Sequence, residues 1–321
     1  MRWSKASNEI RENPDGTLGR MNLGLAFAMM STVAYDPQPT VHTYKSGAAF
    51  CSIADSRITE SSGLAASNQF PGTYYTHNDS GDTARFFRFD SSGKVLTENK
   101  LVGASAVDWE AMATAKLRGK NYVFLGDIGD NAGKRKFIVV YRCEETTRED
   151  IKDFDRYEIT YPDGPRDAET LMVHPKSGDI WIVSKVASGK SRVYWLAAPK
   201  KSGSYVMKFI GEVRVGDPIP FGERATDGSI SHDGRWVAIR TYTCITEFKV
   251  DGDFSKWFQT SGKRIAAPLM AQGESVAYSL KNDALLLSSE GNPCPVSILK
   301  LGPPTATSGA KQALKTILNR S

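Results

Sequence analysis

A chain of 321 residues with 40% apolar and 24% charged side chains, 28 Gly and 15 Pro has room for one large all-β domain or two small ones, and is too apolar to be disordered. Its net charge of +5 comes from 41 basic and 36 acidic residues spread along the chain, without the one-sided Lys/Arg block of a nucleic-acid footprint, so nucleic acid is set aside as a partner. Four cysteines (Cys51, Cys143, Cys244, Cys294) show neither C-x-x-C spacing nor a histidine at metal-finger distance, which argues against structural zinc.

The first element in chain order is an apolar run, Leu23 to Tyr35, preceded by Arg2, Lys5, Arg11 and Arg20 and followed by Pro37 and Pro39. It is too short for a membrane span and fits the apolar part of a leader, so residues 1–34 are expected to be a signal segment cleaved after Ala34, with the protein secreted or periplasmic. A buried N-terminal segment, or a start at Met21, is the alternative.

Residues 35–302 carry a repeat. Five acidic residues each open a short apolar strand: Glu60, Glu110, Glu169, Asp227 and Glu274, spaced by about 50, 59, 58 and 47 residues, the length of a four-stranded propeller blade. Turns such as His174-Pro-Lys-Ser-Gly, His232-Asp-Gly and Lys281-Asn-Asp lead to second strands (Tyr122-Val-Phe-Leu, Ile180-Trp-Ile-Val, Trp236-Val-Ala-Ile) and then third strands. Fourth strands are weaker, around Val95 to Leu101, Tyr157 to Tyr161, Tyr205 to Val215 and Trp257 to Ile265. The fifth repeat lacks its fourth strand, and Ala48 to Ala54 is available to supply it. The fold class is therefore all-β: a single β-propeller of five four-stranded blades closed by an N-terminal strand, with six blades as the alternative. Closure brings Cys51 and Cys294 into one blade as a possible disulfide pair. Residues 303–321 read as a short helix-like tail, docked or frayed, and the molecule is expected to be a monomer without a membrane span.

The first and second strands of a blade form a hairpin, so the start of one lies beside the end of the other. Both places are polar. The opening acids are met by His77, Asn78 and Asp79, then Asp127, Lys185, Arg240 and Glu290. So many carboxylates around one axis need positive charge. Ca²⁺ or Mg²⁺ is the expected cation, held by Glu60, Asn78, Asp79, Glu110, Asp127, Glu169, Asp227, Glu274 and Glu290. Lys185 and Arg240 are the expected anion clamp, and His77 the candidate acid or base. Trp109, flanked by two acids, is a candidate ligand-facing aromatic. Each repeated acid has a purely structural alternative, accepting backbone N–H bonds from the next blade. No serine-nucleophile elbow, phosphate loop or dinucleotide fingerprint is present.

At Glu60-Ser-Ser-Gly-Leu-Ala, His77-Asn-Asp-Ser-Gly-Asp, Asp108-Trp-Glu, Gly126-Asp-Ile-Gly-Asp-Asn and Asp167-Ala-Glu the chain resembles a poorly characterised group of bacterial, mostly secreted, propeller-like proteins, over roughly residues 48–301. That resemblance implies a propeller and export. The polar mouth is also similar in arrangement to the calcium-dependent lactonases of the gluconolactonase and paraoxonase type and to the calcium-dependent propeller phytases. Two readings follow: an exported Ca²⁺-dependent hydrolase of a phosphate ester or lactone, or a non-catalytic propeller binding a small anionic molecule, a glycan or a protein.

Overall fold

The computed structural model describes residues 42–302, which fold as one ring of five sheets; the expected leader (1–34) and tail (303–321) lie outside them. After β1 (Ala48–Ile53), the first blade is β2 (Ser61–Ala66), β3 (Thr73–Asn78), β4 (Arg85–Asp90) and β5 (Val95–Leu101). The second is β6 (Trp109–Leu117), β7 (Lys120–Asp127), β8 (Ile138–Glu144) and, after the short β9 (Asp150–Ile151), β10 (Phe154–Thr160). The third holds β11 (Ala168–Val173), β12 (Ile180–Ser184), β13 (Ser191–Leu196) and, after β14 (Gly203–Val206), β15 (Lys208–Val213). The fourth is β16 (Ala225–Ile230), β17 (Trp236–Thr241), β18 (Cys244–Lys249) and β19 (Lys263–Ala266). The fifth is β20 (Gly273–Tyr278), β21 (Ala284–Ser289) and β22 (Cys294–Lys300), completed by β1 running antiparallel to β22.

The ring thus has the five blades and the N-terminal closure that the repeat predicts. Two details were not in the pattern. β9 adds in parallel to β5, and β14 to β10, so the outer edges of the first two blades are covered by strands from the next connection. The expected fourth strand from Trp257 begins instead as a 3-10 helix, Phe254–Gln259, because the Asp253 carboxylate accepts from Ser255 N and the Trp257 indole turns into the core.

Each blade has neighbours on both faces, so its strands are apolar on both faces. The core is accordingly five clusters, one in each seam between blades. Alternate residues of one strand serve different seams: Ile180 and Ile182 of β12 face the second blade, Trp181 and Val183 the fourth. Near the axis the strands crowd, and β2 reads Ser-Ser-Gly-Leu-Ala-Ala with all six residues buried.

All four cysteines are free. Cys51 stands opposite Val296, and Cys294 opposite Ile53, so the expected pair is diagonal across β1 and β22. Diagonal neighbours are about 7 Å apart, well beyond the Cβ spacing of a disulfide.

Candidate functional site: a carboxylate mouth

All five inner strands carry the same irregularity. Register shifts between Ser61 and Gly63, Trp109 and Ala111, Ala168 and Thr170, Ala225 and Asp227, and Gly273 and Ser275 leave one extra residue per strand: Ser62, Glu110, Glu169, Thr226 and Glu274. A bulge re-aims its side chain, and here it sets five residues at one end of the channel. The hydroxyls tie neighbouring blades together: Ser62 Oγ donates to the Glu110 carbonyl (2.8 Å) and Thr226 Oγ1 to the Gly273 carbonyl (3.2 Å). The three carboxylates are buried.

The residues just past the second strands form a further layer, with Asp79, Lys185, Tyr242 and Glu290. Asp79, Asp108 and Glu110 come closest, with one carboxylate oxygen from each lying within 4.8 Å of the others. Asp108 was not among the sequence candidates. Its signal was the double acid Asp108-Trp109-Glu110, in which the bulge lets both carboxylates face one side. Asp127 Oδ1 accepts from Asp108 N (3.0 Å), and the Asp108 carbonyl accepts from Ile128 N (3.1 Å) and Gly129 N (3.2 Å). Gly129 leaves room for this approach, since a Cβ on it would overlap the Asp108 and Glu110 carboxylates and displace them.

The electrostatics are those of crowded acids. Burial, reinforced by the charges of Glu169 and Asp79, pushes the Glu110 carboxyl far above the usual range. Burial, with Asp79 and Asp167 nearby, raises Asp108 to about 6. Burial raises Glu274 to about 7; Lys185 works against this and Glu290 with it. Glu290 is raised by burial and by Asp79 and Glu60. The Lys185 ammonium is bonded to Glu169 Oε1 and lies 3.4 Å from the Tyr242 hydroxyl. Burial opposes its charge, and Glu169 more than restores it. The second oxygen of Glu169 is buried without a partner.

The other expected site residues are held in other ways. Glu60 and Asp227 are out of phase with the bulge: Glu60 is exposed two residues before Ser62, and Asp227 is fully buried, its Oδ2 accepting from Val276 N (2.8 Å) of the next blade. Asn78 is consumed by the backbone of its own loop, Oδ1 accepting from Thr59 N (3.1 Å) and Glu60 N (3.2 Å). Asp127 is buried in an ion pair with Arg135 (2.8 Å). His77 is fully buried; its Nδ1 bonds to the Asn78 carbonyl (2.8 Å), and the ring packs over Gly63 and against Trp109. Trp109 itself is only 2% exposed, a core residue and not a ligand platform. Arg240 is 1% exposed, donating from Nη1 to the Ser275 (2.6 Å) and Ser288 (2.9 Å) carbonyls. These are structural bonds between the fourth and fifth blades.

An all-oxygen donor set with too few internal cations fits a hard divalent ion. Oxygens sharing one Ca²⁺ lie at most about 5 Å apart, twice a bond of 2.3–2.6 Å, which the Asp79, Asp108 and Glu110 cluster satisfies. Below the mouth the channel narrows to a cavity of about 20 Å³ among Leu64, Met112, Met172, Ser229 and Tyr278, room for roughly one water. A ligand therefore meets the mouth from outside.

No protein-family profile matches the chain, and no curated relative does. Among solved structures it is similar to a gluconolactonase from Xanthomonas campestris, with a TM-score of 0.44 and 13% identity over 75% of this chain and 72% of that one. At that level nothing about substrate transfers.

Proposed function

We propose that the mouth holds Ca²⁺, or Mg²⁺ in its place, on Asp79, Asp108 and Glu110, and that the protein hydrolyses a phosphate ester or lactone there. The observation that carries this reading is the convergence of those three carboxylates from two blades on one point. Asp79, Asp108 and Glu110 would hold the divalent ion, which when bound would supply Lewis-acid polarisation of an ester oxygen. In this reading Glu274, which burial raises to about 7, takes a proton from a water, the role expected of His77. Burial raises the Glu169 carboxyl, Lys185 pulls it back down, and the ammonium adds positive potential beside the acids. Export through residues 1–34 belongs to the same proposal.

The burial of His77 and Arg240 favours a second reading, a cation-stabilised binding propeller without turnover. Thermal unfolding of the full chain in EDTA, then with Ca²⁺ or Mg²⁺ restored, tests the site, because a ligand bound only by the folded state raises the midpoint. A rise that disappears in Glu110→Gln, together with cation-dependent cleavage of a chromogenic phosphate ester or a lactone, supports the hydrolase. A rise without turnover leaves the binding propeller. No rise with either cation removes both.

A further inference from the structure

The end of β7 and the start of β11 both lie at the mouth, and the loop after β7 and the loop before β11 enclose a hollow of about 40 Å³ beside β8 and β10 of the second blade. Its wall carries Arg135, Lys136, Tyr161 and Arg166, with Asp130 as the only acid among its lining residues. Asp130 is already committed: its oxygens accept from Lys134 N (2.8 Å) and Arg135 N (2.9 Å). Arg135 pairs with Asp127, which also accepts from Val107 N and Asp108 N. Arg166 pairs with Asp163 (2.9 Å), but Asp163 is shared with Arg192 and the Tyr194 hydroxyl. Lys136 is exposed. The wall thus sets three cations against one lining acid, and Lys136 is the cation among them without an ion pair among the described residues.

Two buried donors there have no acceptor, the Tyr161 hydroxyl and Arg166 Nε. Buried donors are rarely left unpaired, and donors beside guanidinium groups are best satisfied by an ionised oxygen. We propose that this hollow binds a small oxyanion, the phosphate or carboxylate group of a ligand whose other end reaches the carboxylate mouth. The hollow lies close to the mouth, because Arg135 Nη1 donates to the carbonyl of Gly129 (2.8 Å), the residue packed on Asp108 and Glu110. Binding of the anion stands on the hollow alone; its link to a substrate rests on the hydrolase reading. The clamp then falls to Arg135, Lys136, Tyr161 and Arg166, in place of the Lys185 and Arg240 pair.

The test is thermal unfolding of the full chain in EDTA with inorganic phosphate, and in a second arm acetate, each raised to about 50 mM. Either oxyanion is expected to raise the midpoint, and the stronger of the two identifies the group. Tyr161→Phe keeps the ring that packs on Tyr194 and removes only the hydroxyl. Its midpoint without anion should match wild type, and its anion affinity should fall about fivefold, or about 1 kcal/mol. Lys136→Gln should weaken binding likewise, and Glu110→Gln should leave it unchanged. No response of the wild type to either anion, or an undiminished response in the Tyr161→Phe, Lys136→Gln double variant, overturns the proposal. A Ca²⁺ response without an anion response overturns this site and leaves the mouth standing; the converse result does the opposite.

Discussion

Lys185 donates to the Glu169 carboxylate, whereas Glu110, the equivalent bulge residue of the preceding blade, has no salt bridge among the described residues. Two acids in the same structural position thus differ in their counter-charge. One is neutralised from within and the other is left for a cation or a proton.

Replacing Lys185 with Met should leave Glu169 buried and uncompensated. Breaking a buried pair from one side costs about 3–5 kcal/mol, while replacing both partners is nearly neutral. Urea unfolding is expected to show a loss of that size in Lys185→Met and recovery of most of it when Glu169→Gln is added. A single-variant loss below about 1 kcal/mol would mean that water already screens the pair.

The raised carboxyls make metal-free stability depend on pH in a defined direction. Glu274 titrates at about 7 in the folded chain against 4.5 ordinarily. Below the lower value it is protonated in both states. Between the two, the unfolded chain releases a proton that the folded chain keeps, so the stability from Glu274 is lost as pH rises. Asp108, at about 6 against 3.8, acts in the same sense over a lower range. Glu274→Gln should therefore gain on wild type between about pH 5 and pH 7.5 in EDTA, by on the order of 2 kcal/mol. Saturating Ca²⁺ should shrink the difference, and an equal gap at both pH values would show that Glu274 is ordinarily charged.

Gly129→Ala tests the geometry of the mouth without changing its charge. The backbone there does not need glycine's left-handed region, but the new methyl would overlap the Asp108 and Glu110 carboxylates. The expected result is a Ca²⁺ affinity at least tenfold weaker, about 1.4 kcal/mol, read from the midpoint shift as Ca²⁺ is titrated. Unchanged affinity would place the ion elsewhere.

How far the sequence foretold this structure depends on scale. Spacing of the opening acids reveals the blades, because each repeat must pair four strands and return to the axis, and Ala48 to Ile53 closes the ring where the missing strand was expected. The phase of the site was not legible. Side chains alternate faces every residue, so one inserted residue decides whether an acid meets the mouth or the next blade. The bulge brings Glu110, Glu169 and Glu274 into line while turning Asp227 into a seam, and no local propensity marks it. The fate of His77 was hidden for a related reason: only its cross-strand partner Gly63 makes room for the ring below the mouth.

Arg240 separates the two accounts of its own charge. It faces Asp227 across β16 and β17, and the bare backbone of Gly273 gives its guanidinium space to reach the Ser275 and Ser288 carbonyls. An anion clamp would be dispensable for folding and needed for binding; a bolt between blades would be the reverse. Arg240→Met removes two charge-assisted bonds to carbonyls, leaves those carbonyls buried without that partner, and should cost at least about 3 kcal/mol in urea unfolding. The midpoint rise on adding Ca²⁺ and the response to phosphate should persist at wild-type size. A stable variant that has lost its phosphate response would return Arg240 to the ligand and displace the Arg135 and Arg166 hollow as the anion site.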